Sequence, residues 1–214
     1  MKYELVETDT KQFSGITLYR VKALVAIGAL VSPGDLGGYI EKEENLSQSD
    51  NAWVSDNAWV SGNAWVADNA RVSDNACVSG DARVSDNARV SGNAWVADDA
   101  WVSGDARVSG NACVSGNACV SGDARVSDNA RVSGNAWVAS HKNLLLFGPA
   151  KSSGRFTTAF VDNNIGVRIV CGCFTGSVLE FSRQIEKTHA DNKESLEQYR
   201  LFCQLIAFNF GVQE

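Results

Sequence analysis

Four residues in the last quarter of the chain carry the side chains that metal and thiol chemistry use: Cys171, Cys173, His189 and Cys203. Three sulfurs and one imidazole can hold a tetrahedral zinc ion. The Cys-x-Cys spacing, however, is not the usual Cys-x-x-Cys knuckle. The same residues also suit a small core with buried thiols and a histidine at a helix end. Cys173 with His189 would make a nucleophile and base, but no third group suggests itself to orient the imidazole. The other histidine, His141, stands just past residues 51–140, which contain none. Proton removal therefore has no evident agent, and no catalytic residue, metal site or cofactor is expected.

Arginine and tryptophan have a spacing of their own. From Asn51 the chain reads NAWVSD, NAWVSG, NAWVAD, NARVSD, NACVSG, and continues in six-residue units to NAWVAS at Ser140. Valine returns every six residues from Val54 to Val138, and alanine stands two positions before each valine. Residues two apart on a strand share a face, so Ala and Val point inward and the residue between them points outward. The Ser or Ala that follows is again outward. Gly or Asp and then Asn or Asp come next, types that tolerate turn and left-handed backbone angles.

Three such sides close a triangle of 18 residues, which makes 51–140 five coils. The unit VSGNAW resembles the hexapeptide-repeat superfamily: an aliphatic residue, a small one, two variable ones, a small one and one more. The resemblance implies a left-handed parallel β-helix. It also implies acyl transfer with a histidine base and an inserted loop, and the chain departs from that pattern because neither interrupts the coils. No phosphate-binding glycine loop is present either, since the glycines of the repeat recur as corners.

Sorted by side of the triangle, the outward residues form three columns. The first is Trp53, Arg71, Arg89, Arg107 and Arg125; the second is Trp59, Cys77, Trp95, Cys113 and Arg131; the third is Trp65, Arg83, Trp101, Cys119 and Trp137. Guanidinium groups about 4.8 Å apart repel unless acids or an anion intervene. Corner aspartates, with Asp105 and Asp123 two residues before Arg107 and Arg125, are the expected neutralisers. The sharper alternative is a strip for phosphates or an acidic partner. Exposed tryptophans in number point to self-association as a dimer or trimer, or to stacking along the column that shields the backbone. The four first-column arginines and all six tryptophans are the candidate binding surface.

The flanks read as caps, which open solenoid ends require. Residues 1–50 carry strands around Tyr3–Val6 and Leu18–Ile27, a turn at Ser32-Pro33-Gly34-Asp35, and an irregular first coil through Gly38-Tyr39-Ile40 and Leu46. Residues 141–214 suggest an α+β domain of about three strands, at Leu144–Phe147, Arg155–Val161 and Val167–Phe174. The latter two are joined by the turn Asp162-Asn163-Asn164. Two helices follow, Val178–Lys187 behind a Ser177/Glu180 capping box and Leu196–Phe208 behind Asp191 with Glu194. GDLGGYIEKEENLS and CGCFTGSVLEF with THADN resemble the flanks of β-helix proteins encoded by bacteriophages and prophages, including YdcK-like proteins.

The chain has 214 residues and a formal charge of −6, which disfavours general adhesion to nucleic acid or anionic membrane. No apolar run is long enough to span a bilayer, and MKYELVETDT lacks a signal-peptide layout, so the cytoplasm of the bacterial host is the expected compartment. Cys77 and Cys113 share a side two coils apart, roughly 10 Å, beyond disulfide reach, so the six cysteines are expected to be reduced. The expected function is a non-enzymatic binding scaffold for itself and a host protein, such as a bacterial defence protein. A sponge for an anionic nucleotide-like ligand ranks second and an acyltransferase relic third. A DNA mimic is disfavoured because the repeats mix six Arg with ten Asp, and ice binding because threonine ladders are missing.

Overall fold

Ala and Val of each unit can both face inward only if the chain runs straight for a few residues and then turns. The computed structural model, which describes residues 1–151 and 153–212, shows this arrangement. Residue 152 and the last two residues of the expected C-terminal domain, 213 and 214, lie outside the described residues. Each unit contributes a two-residue strand, fifteen among the described residues (β4–β18, Trp53–Val54 to Trp137–Val138). Strands eighteen residues apart pair in parallel, as in Trp53 with Arg71, Trp59 with Cys77 and Trp65 with Arg83. The Ala and Val of every Ala-x-Val trio are buried in one continuous core. The backbone closes coil on coil, with Arg71 N donating to Ala88 O at 2.9 Å and Ser73 N to Val90 O at 2.9 Å. A single coil has too little apolar area to offset its ordering entropy, so stability comes from the stack.

The corners explain the Asp/Gly alternation. The residue after Ser or Ala takes a left-handed backbone, as at Asp74 (φ 61°) and Gly80 (φ 71°). Where it is Asp, the carboxylate in most coils accepts from the amide one coil on: Gly92 N to Asp74 Oδ2 is 2.8 Å and Gly104 N to Asp86 Oδ2 is 2.9 Å. The next position forms an asparagine ladder, Asn75 to Asn93 to Asn111 to Asn129.

At the N-terminus, β1 (Tyr3–Phe13) and β2 (Ile16–Ala23) form an antiparallel hairpin, followed by β3 (Leu36–Ile40). β1 runs well past the expected Val6, and β2 stops at Ala23 rather than Ile27. The polar stretch after Val6 is held as an edge strand by pairing, and Ser14-Gly15 takes the two positive φ angles (48° and 88°) of a two-residue hairpin turn. β3 bonds in parallel to β5 (Trp59–Val60), so this sheet continues one side of the triangle in the order β1-β2-β3-β5. With that irregular coil the solenoid has about six turns. Here Tyr39 pairs with Trp59, a step of twenty residues instead of eighteen. The buried Asn45 side chain spans the wider corner, donating to Gly62 O and Ala64 O at 3.0 and 2.8 Å.

The C-terminal sheet has four strands where about three were expected: β19 (Leu144–Phe147), β20 (Thr157–Asp162), β21 (Gly166–Cys171) and β22 (Phe174–Ser177). The single strand expected over Val167–Phe174 is broken at Gly172, whose φ of 60° turns the chain back. Phe160 and Val170 close the solenoid core, with Leu144 and Leu146 against them. Ala159, Ile169 and Cys171 face the helices instead. Helix α1 (Val178–Thr188) has the expected capping box, with Ser177 Oγ accepting from Glu180 N and Ser177 N donating to Glu180 Oε2. Helix α2 (Lys193–Phe210) is capped by Asn192 rather than Asp191, because Asn192 Oδ1 accepts from Ser195 N at 3.0 Å.

Candidate functional site

The outward columns appear in the expected register. Arg71, Arg89, Arg107 and Arg125 sit side by side in one five-stranded sheet. The last three are exposed, and Arg71 is half-buried. Among the described residues no carboxylate lies within 4.0 Å of any of the four. The expected neutralisation by corner acids therefore does not form as ion pairs. Most of the inner corner carboxylates are occupied by backbone amides, Asp105 accepts from Asn87 Nδ2 at 3.1 Å, and Asp123 faces His141 Nδ1 at 3.9 Å. A shallow hollow of about 350 Å³ lies over the first rungs, lined by Trp53, Arg71 and Arg89 with Ser55, Ser73, Ser91 and the carboxylate-bearing Asp74.

The tryptophans divide. Trp53 is 4% exposed and belongs to the core, not to the surface expected of it. Its indole lies against Gly37, where a Cβ would collide with Trp53, Val21 and the Val54 carbonyl. The irregular first coil covers it, and nothing in the repeat pattern announces that. Trp59 is half-buried under the hairpin, its ring centroid 4.6 Å from that of Phe13. Trp65, Trp95, Trp101 and Trp137 remain 43–54% exposed on two adjacent sides. Trp95 Nε1 donates to Ser79 Oγ and Trp101 Nε1 to Ser85 Oγ, one coil back, so these indoles lie along the sheet. Cys77 is half-buried, and its desolvated thiol is pushed up to about 12. Burial likewise raises Cys113. Neither is poised as a thiolate nucleophile.

The thiols of the tail do not gather as a zinc site would need. Cys171 is buried, receiving Thr157 Oγ1 at 3.2 Å, whereas Cys173 is exposed on the hairpin turn, so the two do not share a strand face. His189 caps the end of α1 and stacks on Tyr199, with ring centroids 5.0 Å apart. Cys203 is buried between α2 and the sheet. Among the described residues no group of three His, Cys, Asp or Glu is placed to hold a metal ion. Among the described residues none of the six cysteines is in a disulfide. No helix among the described residues is long and apolar enough to cross a membrane.

A continuous Val/Ala core, parallel strands one coil apart and outward columns of single side chains define a β-solenoid protein. Its repeats are similar to the YdcK Beta solenoid repeat, whose family model matches residues 70–85, 82–98, 100–116, 106–122 and 124–139. No curated protein matches the chain.

Proposed function

We propose that this solenoid is a non-enzymatic binding scaffold of phage or prophage type, acting in the cytoplasm of the bacterial host. Its tryptophan sides join it to further copies of itself, as a dimer or trimer, and its arginine side engages a host macromolecule such as a defence protein. The observation that carries this reading is the division of labour among the sides. Two expose Trp65, Trp95, Trp101 and Trp137, while the third carries arginines that form no ion pair among the described residues. Trp and Arg are the side chains that most often anchor interfaces. Mass by light scattering on the wild type and on a Trp65→Ala/Trp101→Ala/Trp137→Ala variant tests the self-association. A multiple of the chain mass that falls to one chain in the variant supports it; a monomeric wild type removes it. Pull-down from host lysate tests the other half, which requires a stoichiometric protein.

A second reading is a sponge for an anionic nucleotide-like molecule, favoured by the hollow that sets Trp53 beside Arg71 and Arg89. Nucleotide-dependent quenching of tryptophan fluorescence, abolished by Arg89→Gln, would support it over the scaffold.

A further inference from the structure

The arginine column has a period, and the period discriminates among anionic partners. Its rungs repeat at the strand spacing of a parallel sheet, about 4.8 Å. Four rungs from Arg71 to Arg125 therefore span roughly 14 Å along the solenoid axis. Like charges at that spacing repel, and among the described residues no acid lies within 4.0 Å to offset them, although the protein as a whole is acidic. Long flexible side chains, three of the four exposed, stand above half-buried serines and leave the side open along its length.

We infer that this column binds one acidic α-helix of a protein partner, laid parallel to the solenoid axis. A helix carrying one carboxylate per turn on one face repeats every 5.4 Å or so, about 16 Å over the same three intervals. The mismatch of roughly 2 Å over the whole column is within the swing of an arginine side chain. An extended acidic strand shows same-face side chains nearly 7 Å apart, roughly 20 Å over three intervals, and falls out of step by the third rung. Arginine adds a planar fork that can take each carboxylate through two hydrogen bonds. The ladder starts at Arg71, because Trp53 below it is buried and Arg71 itself lies beside Gly28 and Asn51. The helix axis is thus centred on Arg89 and Arg107. This inference rests on the scaffold reading and names the chemistry of its partner.

The test uses the full chain and a labelled 21-residue helical peptide with glutamates at one per turn. The controls are the same composition with the glutamates spread around the helix, an extended acidic peptide, and single-stranded DNA. Fluorescence anisotropy at low salt should show the aligned helix binding at least tenfold tighter than every control. Arg89→Gln/Arg107→Gln should cost tenfold or more, while the same loss of charge on helix α1, Arg183→Gln/Lys187→Gln, leaves the affinity within twofold. Equal binding of the scrambled helix or of DNA overturns the periodic match and makes the column a general anion surface. No binding by any of them also overturns the proposal. The scaffold reading stands or falls separately, on the mass of the tryptophan variant.

Discussion

The Asp162 carboxylate and the Arg168 guanidinium meet at 2.6 Å beside the last coil, with the Asp162 side chain fully inaccessible and that of Arg168 19% exposed. Asp162 also bridges Ala136 of that coil and accepts from Asn164 N and Ile165 N at 2.9 and 3.2 Å. The Asp162 side chain thus fixes the hairpin turn, while its backbone bridge to Ala136 seats the C-terminal sheet on the solenoid.

Asp162→Ala should lower the unfolding free energy by about 3 kcal/mol, because it strands a guanidinium and two amides. Urea unfolding checks this, and a loss of under half a kcal/mol would sink it. Burial pushes the Asp162 carboxyl up, but the hydrogen bonds from Arg168 and the two amides outweigh that and hold it below the usual range. Its contribution is therefore complete above the unfolded value of about 3.9 and is lost as pH falls through the lower folded value.

The opposite end has a basic counterpart. Lys2 Nζ donates to Ala52 O at 2.8 Å and Ser49 O at 3.1 Å, and burial lowers its pKa to about 8. The folded value lies below the unfolded one of about 10.4, so stability rises as pH increases from 8 towards 10, by on the order of 1 kcal/mol. Tyr3 acts in the other direction. Its hydroxyl donates to Leu46 O at 2.7 Å, and burial, with Glu43 and Glu44 nearby, raises its pKa. Above pH 10 the unfolded chain ionises first and stability falls. Burial also raises the Cys77 and Cys113 thiols, so above about 8.5 the unfolded thiols ionise first and oppose the Lys2 rise. On a Cys77→Ser/Cys113→Ser background, which removes that fall, thermal melts from pH 7 to 11 should show a maximum near 10. Lys2→Met should flatten the rise and Tyr3→Phe the fall; a rise that persists without Lys2 contradicts the assignment.

Gly110→Ala and Gly166→Ala separate backbone strain from coil contact. Both glycines have positive φ, 69° and 77°. A Cβ on Gly110 would stand 2.7 Å from Asp128 N of the next coil, whereas Gly166 faces open space. The left-handed conformation alone costs about 1 kcal/mol with a Cβ. Gly166→Ala should show that cost and Gly110→Ala clearly more, read from denaturant midpoints; equal losses would mean the coils give way freely.

Trp53→Ala should cost about 3 kcal/mol as a core truncation, against less than about 0.5 kcal/mol for Trp101→Ala in the isolated chain. Chemical denaturation distinguishes them, and comparable losses would show that Trp53 is not the core residue its burial implies.

Much of this architecture is legible from local pattern. A period of six with Val and Ala two apart has one good solution, because the pleat alternates strictly and each coil repeats the contacts of the last. The Ser177/Glu180 capping box was equally readable, being a contact within one turn. The reach of β1 to Phe13 was missed because pairing with β2 decides it, whereas the strand end at Cys171 and the cap at Asn192 turn on backbone angles, at Gly172 and before Ser195, that residue types alone leave open.

The candidate surface shows the same boundary. Repeat arithmetic placed Arg71, Arg89, Arg107 and Arg125 in one column, since register follows from unit length alone. It treated Trp53 like the other tryptophans, and only the chain folding back through Gly37 buries that ring. It also gave the corner aspartates to the arginines, whereas left-handed corners aim most of those carboxylates at the amides of the following coil. The sequence by itself therefore determined the solenoid and the order of its outward residues, because both depend on periodicity. The tertiary structure decided which of them stay exposed and which charges stay unpaired, because coverage and pairing depend on caps and corner geometry outside the period.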